Sequence, residues 1–160
     1  MSARKQTILD TLAHGRQMLT SVIDQLQPDD WESPVQDADQ KWTVRQIVTH
    51  VADAQKGMTG QITTINGGQE AIPADFDLDR WNRRAVEKGA DKTPSELLLA
   101  LEEGRIKLLQ FLDTLTDADF DKQGRHSSLR IMTIEQILTL IGTHEIEHAQ
   151  IIADSLGLKI

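Results

Sequence analysis

Three times in this chain a threonine stands three residues ahead of a glutamine or glutamate at the head of a long apolar stripe: Thr43-Val44-Arg45-Gln46, Thr93-Pro94-Ser95-Glu96 and Thr133-Ile134-Glu135-Gln136. In such a capping box the threonine oxygen accepts the N–H at the fourth position, and the Gln or Glu side chain returns to the threonine N–H. Two donors that a helix start would leave unpaired are thereby satisfied. Trp42 with Ile47 and Met132 with Ile137 add hydrophobic staples to two of the boxes, and Pro94 suits a first helical position. Each box launches a helix at a defined residue. Three such starts in 160 residues confine the chain to a fold dominated by long helices.

The stripes behind the boxes confirm the period. The second long helix carries Val44, Ile47, Val51, Ala54, Met58, Gln61 and Ile65 and ends near Asn66-Gly67-Gly68; the third carries Leu97, Leu98, Leu101, Arg105, Leu108, Phe111, Leu112 and Leu115. The fourth runs from the last box to Gly157. Ahead of them all, Ile8, Leu9, Leu12, Leu19, Val22, Ile23 and Leu26 predict a first helix over about 4–27, with Gly15 and Arg16 weakening one turn and Pro28-Asp29-Asp30 as its stop. Polar loops are expected over 28–42 and 116–132.

The connection over 67–93, with a short helix around 77–88, is too long for antiparallel neighbours in a bundle. Extended, it reaches ~90 Å, whereas a 24-residue helix is ~36 Å long. The chain can therefore return along the bundle and set the third helix parallel to the second. A hydrophobic content of 39% with 4% aromatic and no tyrosine suits aliphatic helix packing better than a β-sandwich. The expected architecture is all-α: one domain over 1–160, a four-helix bundle running up-down-down-up with a long crossover between helices two and three.

Net charge is −8, and no basic run interleaves with aromatics, which argues against a nucleic-acid partner. No segment reads as a signal peptide or approaches ~20 apolar residues, so no membrane association and a cytoplasmic location are expected. The absence of cysteine excludes disulfides and thiolate metal sites.

The last helix carries the chemistry. Ile134, Ile137, Ile141, His144, His148, Ile151 and Ser155 follow alternating steps of three and four, so two histidines one turn apart lie on the core seam. Buried imidazoles need partners for their lone pairs, at a cost of roughly 1–3 kcal/mol per unpaired group. Hydrogen bonds to neighbouring helices or a shared metal ion would each supply them. His50 borders the buried stripe of the second helix, ~10 Å from its start, while the histidine pair lies ~15 Å from the end of its own; antiparallel packing brings these levels within ~5 Å. Three imidazoles on one ion leave a position open, as catalytic sites do. Asp53, Glu145, Glu147 and Gln150 are nearby groups able to orient the ligands, with Glu145 and Glu147 read as solvated surface. His126, in Gly124-Arg125-His126-Ser127-Ser128, reads as exposed and without a role. His144-Glu145-x-x-His148 also spells the zincin pattern, but Ile151 stands where a metzincin has its helix-breaking glycine, and Asp154 lies on the wrong side of an unbroken helix.

Three segments resemble the DinB/YfiT-like metal-binding four-helix bundles. Trp42-Thr43-Val44-Arg45-Gln46-Ile47-Val48-Thr49-His50-Val51-Ala52-Asp53-Ala54 is similar to that family's second-helix motif. Asp77-Leu78-Asp79-Arg80-Trp81-Asn82 is similar to the stretch before its third helix, where an asparagine commonly stands, and Thr143–Ile151 to its closing His-x3-His helix. The resemblance implies the up-down-down-up bundle, a zinc, nickel or similar divalent ion on His50, His144 and His148, and often a homodimer, for which Leu99, Ile106 and Leu109 offer an apolar patch. It also implies a small-molecule substrate, with a low-molecular-weight thiol among the candidates. Thiol transferase or hydrolase-like chemistry is the expected function; a non-enzymatic metal-binding or interaction bundle is the alternative.

Overall fold

All three boxes form as written. Thr43 N donates to Gln46 Oε1 at 2.9 Å, Thr93 N to Glu96 Oε2 at 2.7 Å and Thr133 N to Gln136 Oε1 at 2.9 Å, and each threonine hydroxyl accepts the reciprocal N–H. The structure, a computed structural model, describes residues 1–36 and 41–160. The boxes open α2 (Val44–Asn66), α4 (Pro94–Thr114) and α5 (Ile134–Leu156). Before them lies α1 (Ala3–Ile23), capped by Ser2; α3 (Leu78–Lys88), capped by Asp77, is the short helix of the crossover.

Two sequence boundaries need correction. The first helix stops at Ile23, with Asp24 as its C-cap, instead of continuing to 27; helix is closed to Gln27 itself, which is extended ahead of Pro28 with φ −86° and ψ 161°. A 3₁₀ turn over Pro28–Glu32 follows and buries Trp31. The region over 116–132 is not merely a loop. It holds a 3₁₀ turn (Asp119–Asp121) and a small antiparallel hairpin, β1 (Gln123–Arg125) with β2 (Ile131–Thr133), in register Gly124 opposite Met132. Three-residue strands are too short to show an alternating pattern.

Side-chain contacts give the helix directions. Arg45 reaches the Lys92 carbonyl, and ten residues further on Gln55 donates to the Leu101 carbonyl, so α2 and α4 run parallel. Lys5 contacts Asp113 while Arg105 donates to the Leu12 carbonyl, which makes α1 and α4 antiparallel. Arg4 pairs with Glu135 and Arg16 with Glu145, so α1 and α5 are parallel. The long helices thus run up-down-down-up, with residues 67–93 crossing between α2 and α4. Among the described residues no helix is long and apolar enough to cross a membrane.

The apolar core has two halves. One gathers Leu12, Met58, Leu108 and Ile141 with their neighbours; the other gathers Leu19, Val51, Leu101 and Ala149 with theirs. Between them each long helix contributes one polar residue: Arg16, Gln55, Arg105 and Glu145. Arg16 Nη2 and Arg105 Nη2 donate to the two Glu145 oxygens at 2.7 and 2.8 Å, and Arg105 Nε donates to Gln55 Oε1 at 2.9 Å. Burial pushes the Arg105 guanidinium below its ordinary range, against the pull of Glu145. Arg16 therefore does not weaken its turn; it belongs to this layer. Gly15 likewise has a packing role, since a Cβ there would lie 2.4 Å from the Gly142 carbonyl oxygen of α5. Glycine lets the two backbones touch at this level.

Candidate metal centre

His144 and His148 project from one face of α5 toward His50 of antiparallel α2. His144 Nε2 lies 3.1 Å from His50 Nε2 and 3.0 Å from His148 Nε2, and one nitrogen of each ring falls within 4.8 Å of the others. Ligands at ~2.0–2.1 Å around a tetrahedral ion stand about 3.3 Å apart, close to this spacing. Three sequence-expected ligands are thus brought together at one point. The indole of Trp42, just ahead of α2, packs on His50 with ring centroids 5.2 Å apart.

The electrostatics favour neutral rings. Desolvation pushes His148 from 6.5 down to about 4. His144 is driven well below 6.5, first by desolvation and then by the neighbouring His148 and His50. His148 Nδ1 is buried and has no hydrogen-bond partner among the described residues, so this ring's polar compensation falls on Nε2, in the cluster. An all-imidazole donor set of neutral rings suits zinc, nickel or another borderline divalent ion.

The other candidates distribute differently. Asp53 faces the same cavity and accepts the Trp81 indole N–H at 3.1 Å. Glu147 is exposed as expected, and exposed Gln150 donates to Asp154, away from the histidines. Glu145 is not solvated surface: it is 1% exposed and its carboxylate is taken by Arg16 and Arg105. One residue, about 100°, turns it from the imidazole face to the side of α5 facing α1 and α4. A carboxylate so engaged is no general base for a water at the histidines, and the zincin pattern has no catalytic content here.

The cluster opens onto a cavity of about 440 Å³. Met58, Ile72, Phe76, Trp81 and Leu140 form apolar wall; His50, Asp53, Gln61, Asn82, His126, Ser127 and His144 supply polar groups. Much of one wall is the crossover, folded back so that Trp81 bonds Asp53 and stacks near Phe76, with ring centroids 5.8 Å apart. His126 is the site residue that sequence reasoning missed. It is 6% exposed and faces the cavity because the β1–β2 turn tucks it inward, with His126 N donating to the Arg130 carbonyl at 2.9 Å. Its glycine-, serine- and arginine-rich surroundings looked like exposed turn, and no local periodicity marks it.

The sequence model of the DinB superfamily matches residues 35–152. YfiT of Bacillus subtilis (strain 168), provisionally named a metal-dependent hydrolase, is 34% identical over 110 residues, 67% of this chain and 60% of that protein. A protein of Geobacillus thermodenitrificans (strain NG80-2) with the same provisional name is 29% identical over 64% of this chain and 59% of its own length. The chain therefore spans about three fifths of each of these relatives. Among solved structures, YfiT, described as having an unusual four-helix bundle topology, superposes with a TM-score of 0.77 at 23% identity, covering 99% of this chain and 91% of that one. A mycothiol-dependent maleylpyruvate isomerase gives 0.73 at 14% identity over 93% of this chain and 59% of its own, and the colibactin self-resistance protein ClbS, solved with double-stranded DNA, gives 0.78 at 11% over 98% and 97%. At these identities the solved structures share the fold alone.

Proposed function

The chain belongs to the DinB superfamily, and from that premise we propose that His50, His144 and His148 bind one divalent ion, zinc or nickel, in an enzyme acting on small molecules by thiol transfer or hydrolysis. The observation that carries this reading is the convergence of the three Nε2 atoms at the wall of a cavity of about 440 Å³. His50 and His144 line that cavity, so the open side of the cluster faces the space where a substrate fits. A divalent ion held there lowers the pKa of a coordinated water to about 7 and equally stabilises a thiolate. The chain's own residues do the rest. Trp42 steadies His50, the neutral rings present lone pairs, and the apolar wall around Trp81 and Leu140 takes the organic body of a substrate and sheds water.

An open cavity beside the cluster favours an enzyme over a purely structural or interaction bundle. The net charge of −8 disfavours a nucleic-acid partner for this chain. Leu98, Leu99, Ile106 and Leu109 are 38–58% exposed on about 100° of α4, and we propose them as an isologous homodimer contact; light scattering that gives a monomer at micromolar concentration would remove it. For the metal, elemental analysis of the purified protein and calorimetric titration of its chelator-treated form should both give one divalent ion per chain. His144→Ala should bind at least about 100-fold more weakly. Equal affinities, or no binding by either protein, would overturn the reading.

A further inference from the structure

In the cavity that His50 and His144 also line, the hydrogen bonds of His126 determine which of its nitrogens carries the proton. The backbone N–H of Ser128 donates to His126 Nδ1 at 3.1 Å, and the Ser128 hydroxyl lies 2.8 Å from the same nitrogen. A backbone N–H can only donate, so Nδ1 must be the acceptor and the proton must sit on Nε2. The turn that makes this contact is itself constrained: Leu129 N donates to the His126 carbonyl at 2.8 Å, and Leu129 holds φ 68°, a left-handed conformation that a branched side chain rarely adopts. Nε2 has Ser127 Oγ at 3.4 Å, too long for a strong bond. Its N–H therefore keeps donor capacity on the cavity side. This tautomer also leaves Nε2 no lone pair with which to activate the Ser127 hydroxyl, which argues against a serine nucleophile here.

Gln61 repeats the pattern. Ser127 N donates to Gln61 Oε1 at 3.3 Å, which orients the amide and turns its NH₂ end, with no acceptor among the described residues, to the cavity. Two donors thus line the cavity that His50 and His144 also line, whose apolar wall includes Phe76, Trp81 and Leu140.

We propose that His126, locked in the Nε2–H tautomer by Ser128 and assisted by Gln61, is a substrate-binding donor for an oxygen acceptor, a carboxylate or carbonyl, at the far end of a small molecule whose other end sits on the metal. The inference rests on the metal reading above. It defines the ligand class: a short, bifunctional molecule with a metal-seeking group, an apolar middle and an acceptor oxygen.

The test uses cobalt-loaded protein at pH 7.5, on which thiolate ligation gives a charge-transfer absorption. Thioglycolate, 3-mercaptopropionate and 4-mercaptobutyrate are titrated against ethanethiol, propanethiol and butanethiol. At one chain length or more the carboxylate should bind about tenfold tighter than its alkanethiol, the scale of one charge-assisted hydrogen bond. His126→Leu should abolish that preference, read as the ratio of carboxylate to alkanethiol affinity in the same variant, and His126→Gln, which keeps an N–H donor, should restore part of it. Nitrogen-15 histidine spectra of the chelator-treated protein should show Nδ1 pyridine-like and Nε2 pyrrole-like for the residue whose signals vanish in His126→Gln. A cobalt–thiolate band with no carboxylate preference, a preference that survives in His126→Leu, or a protonated Nδ1 would overturn the inference and leave the metal reading standing. Absence of the band with every thiol would overturn both.

Discussion

Glu145 and His144 are neighbours on α5, yet they belong to opposite kinds of buried polar site. Glu145 closes a layer in which Arg16 and Arg105 each donate to one of its oxygens and both donate to Gln55 Oε1. His144 joins two further imidazoles, its Nε2 3.1 Å from that of His50 and 3.0 Å from that of His148, three groups of one kind whose donor and acceptor roles depend on the tautomer. Both sites draw on α2 and α5, the first with α1 and α4 as well. Burial alone therefore does not separate scaffold from function; the chemistry of the groups that meet does. A buried set with matched charges and donors holds helices in register. A set of converging lone pairs beside a cavity is a site for something else to bind.

The contrast should break first at Glu145. Glu145→Ala leaves the buried Arg105 and the half-buried Arg16 without their shared carboxylate and should lower unfolding free energy by about 3–5 kcal/mol. His144→Ala, which relieves a cluster of like groups, should lower it by less than about 1 kcal/mol. Urea denaturation of the two metal-free variants decides this, and comparable losses would mean that the histidines are scaffold as well.

Acid should separate the two regions next. His148 is pushed to about 4 in the folded protein, below the ordinary 6.5, so between these values the unfolded chain holds more protons. Its contribution is fully present above pH 6.5 and is lost as pH falls toward 4, amounting to up to about 3 kcal/mol in the metal-free protein. Denaturation midpoints measured from pH 7 to 4 should fall steeply in the wild type and less so in His148→Gln. Identical slopes would show that His148 is no harder to protonate in the fold than outside it.

The smallest of these effects, and the most specific, is ligand-linked. Zinc at 100 times its dissociation constant should stabilise the wild type by about 2.7 kcal/mol and leave His144→Ala unchanged. Thermal melts with and without the metal measure it. Stabilisation of both proteins alike would place the ion somewhere other than the cluster.

The features legible in sequence share a short range. A capping box spans four residues, so its three occurrences located the starts of α2, α4 and α5 to the residue. The i,i+4 histidine pair on an apolar seam is equally local, and the length of 67–93 was enough to call for parallel α2 and α4. Arg105 was already on its seam, but a charged residue on an apolar stripe does not name its partners. Glu145 was misplaced because a single seam was assumed for α5, whereas that helix is buried on several sides, from Leu138 and Gly142 to His148 and Ala149. His126 was misread because what buries it is a hairpin of three-residue strands, whose pairing is a property of two separated segments.

The helices, their order and the histidine pair can be read along the chain, because those depend on contacts within about four residues, where hydrogen bonding and side-chain period act directly. Which face of each helix meets which neighbour is settled in three dimensions: that Glu145 turns to two arginines, that the crossover folds back as a cavity wall, and that His126 lines the same cavity as His50 and His144. Those outcomes follow from packing four helices and a hairpin at once, where about 100° per residue sends adjacent side chains into different environments.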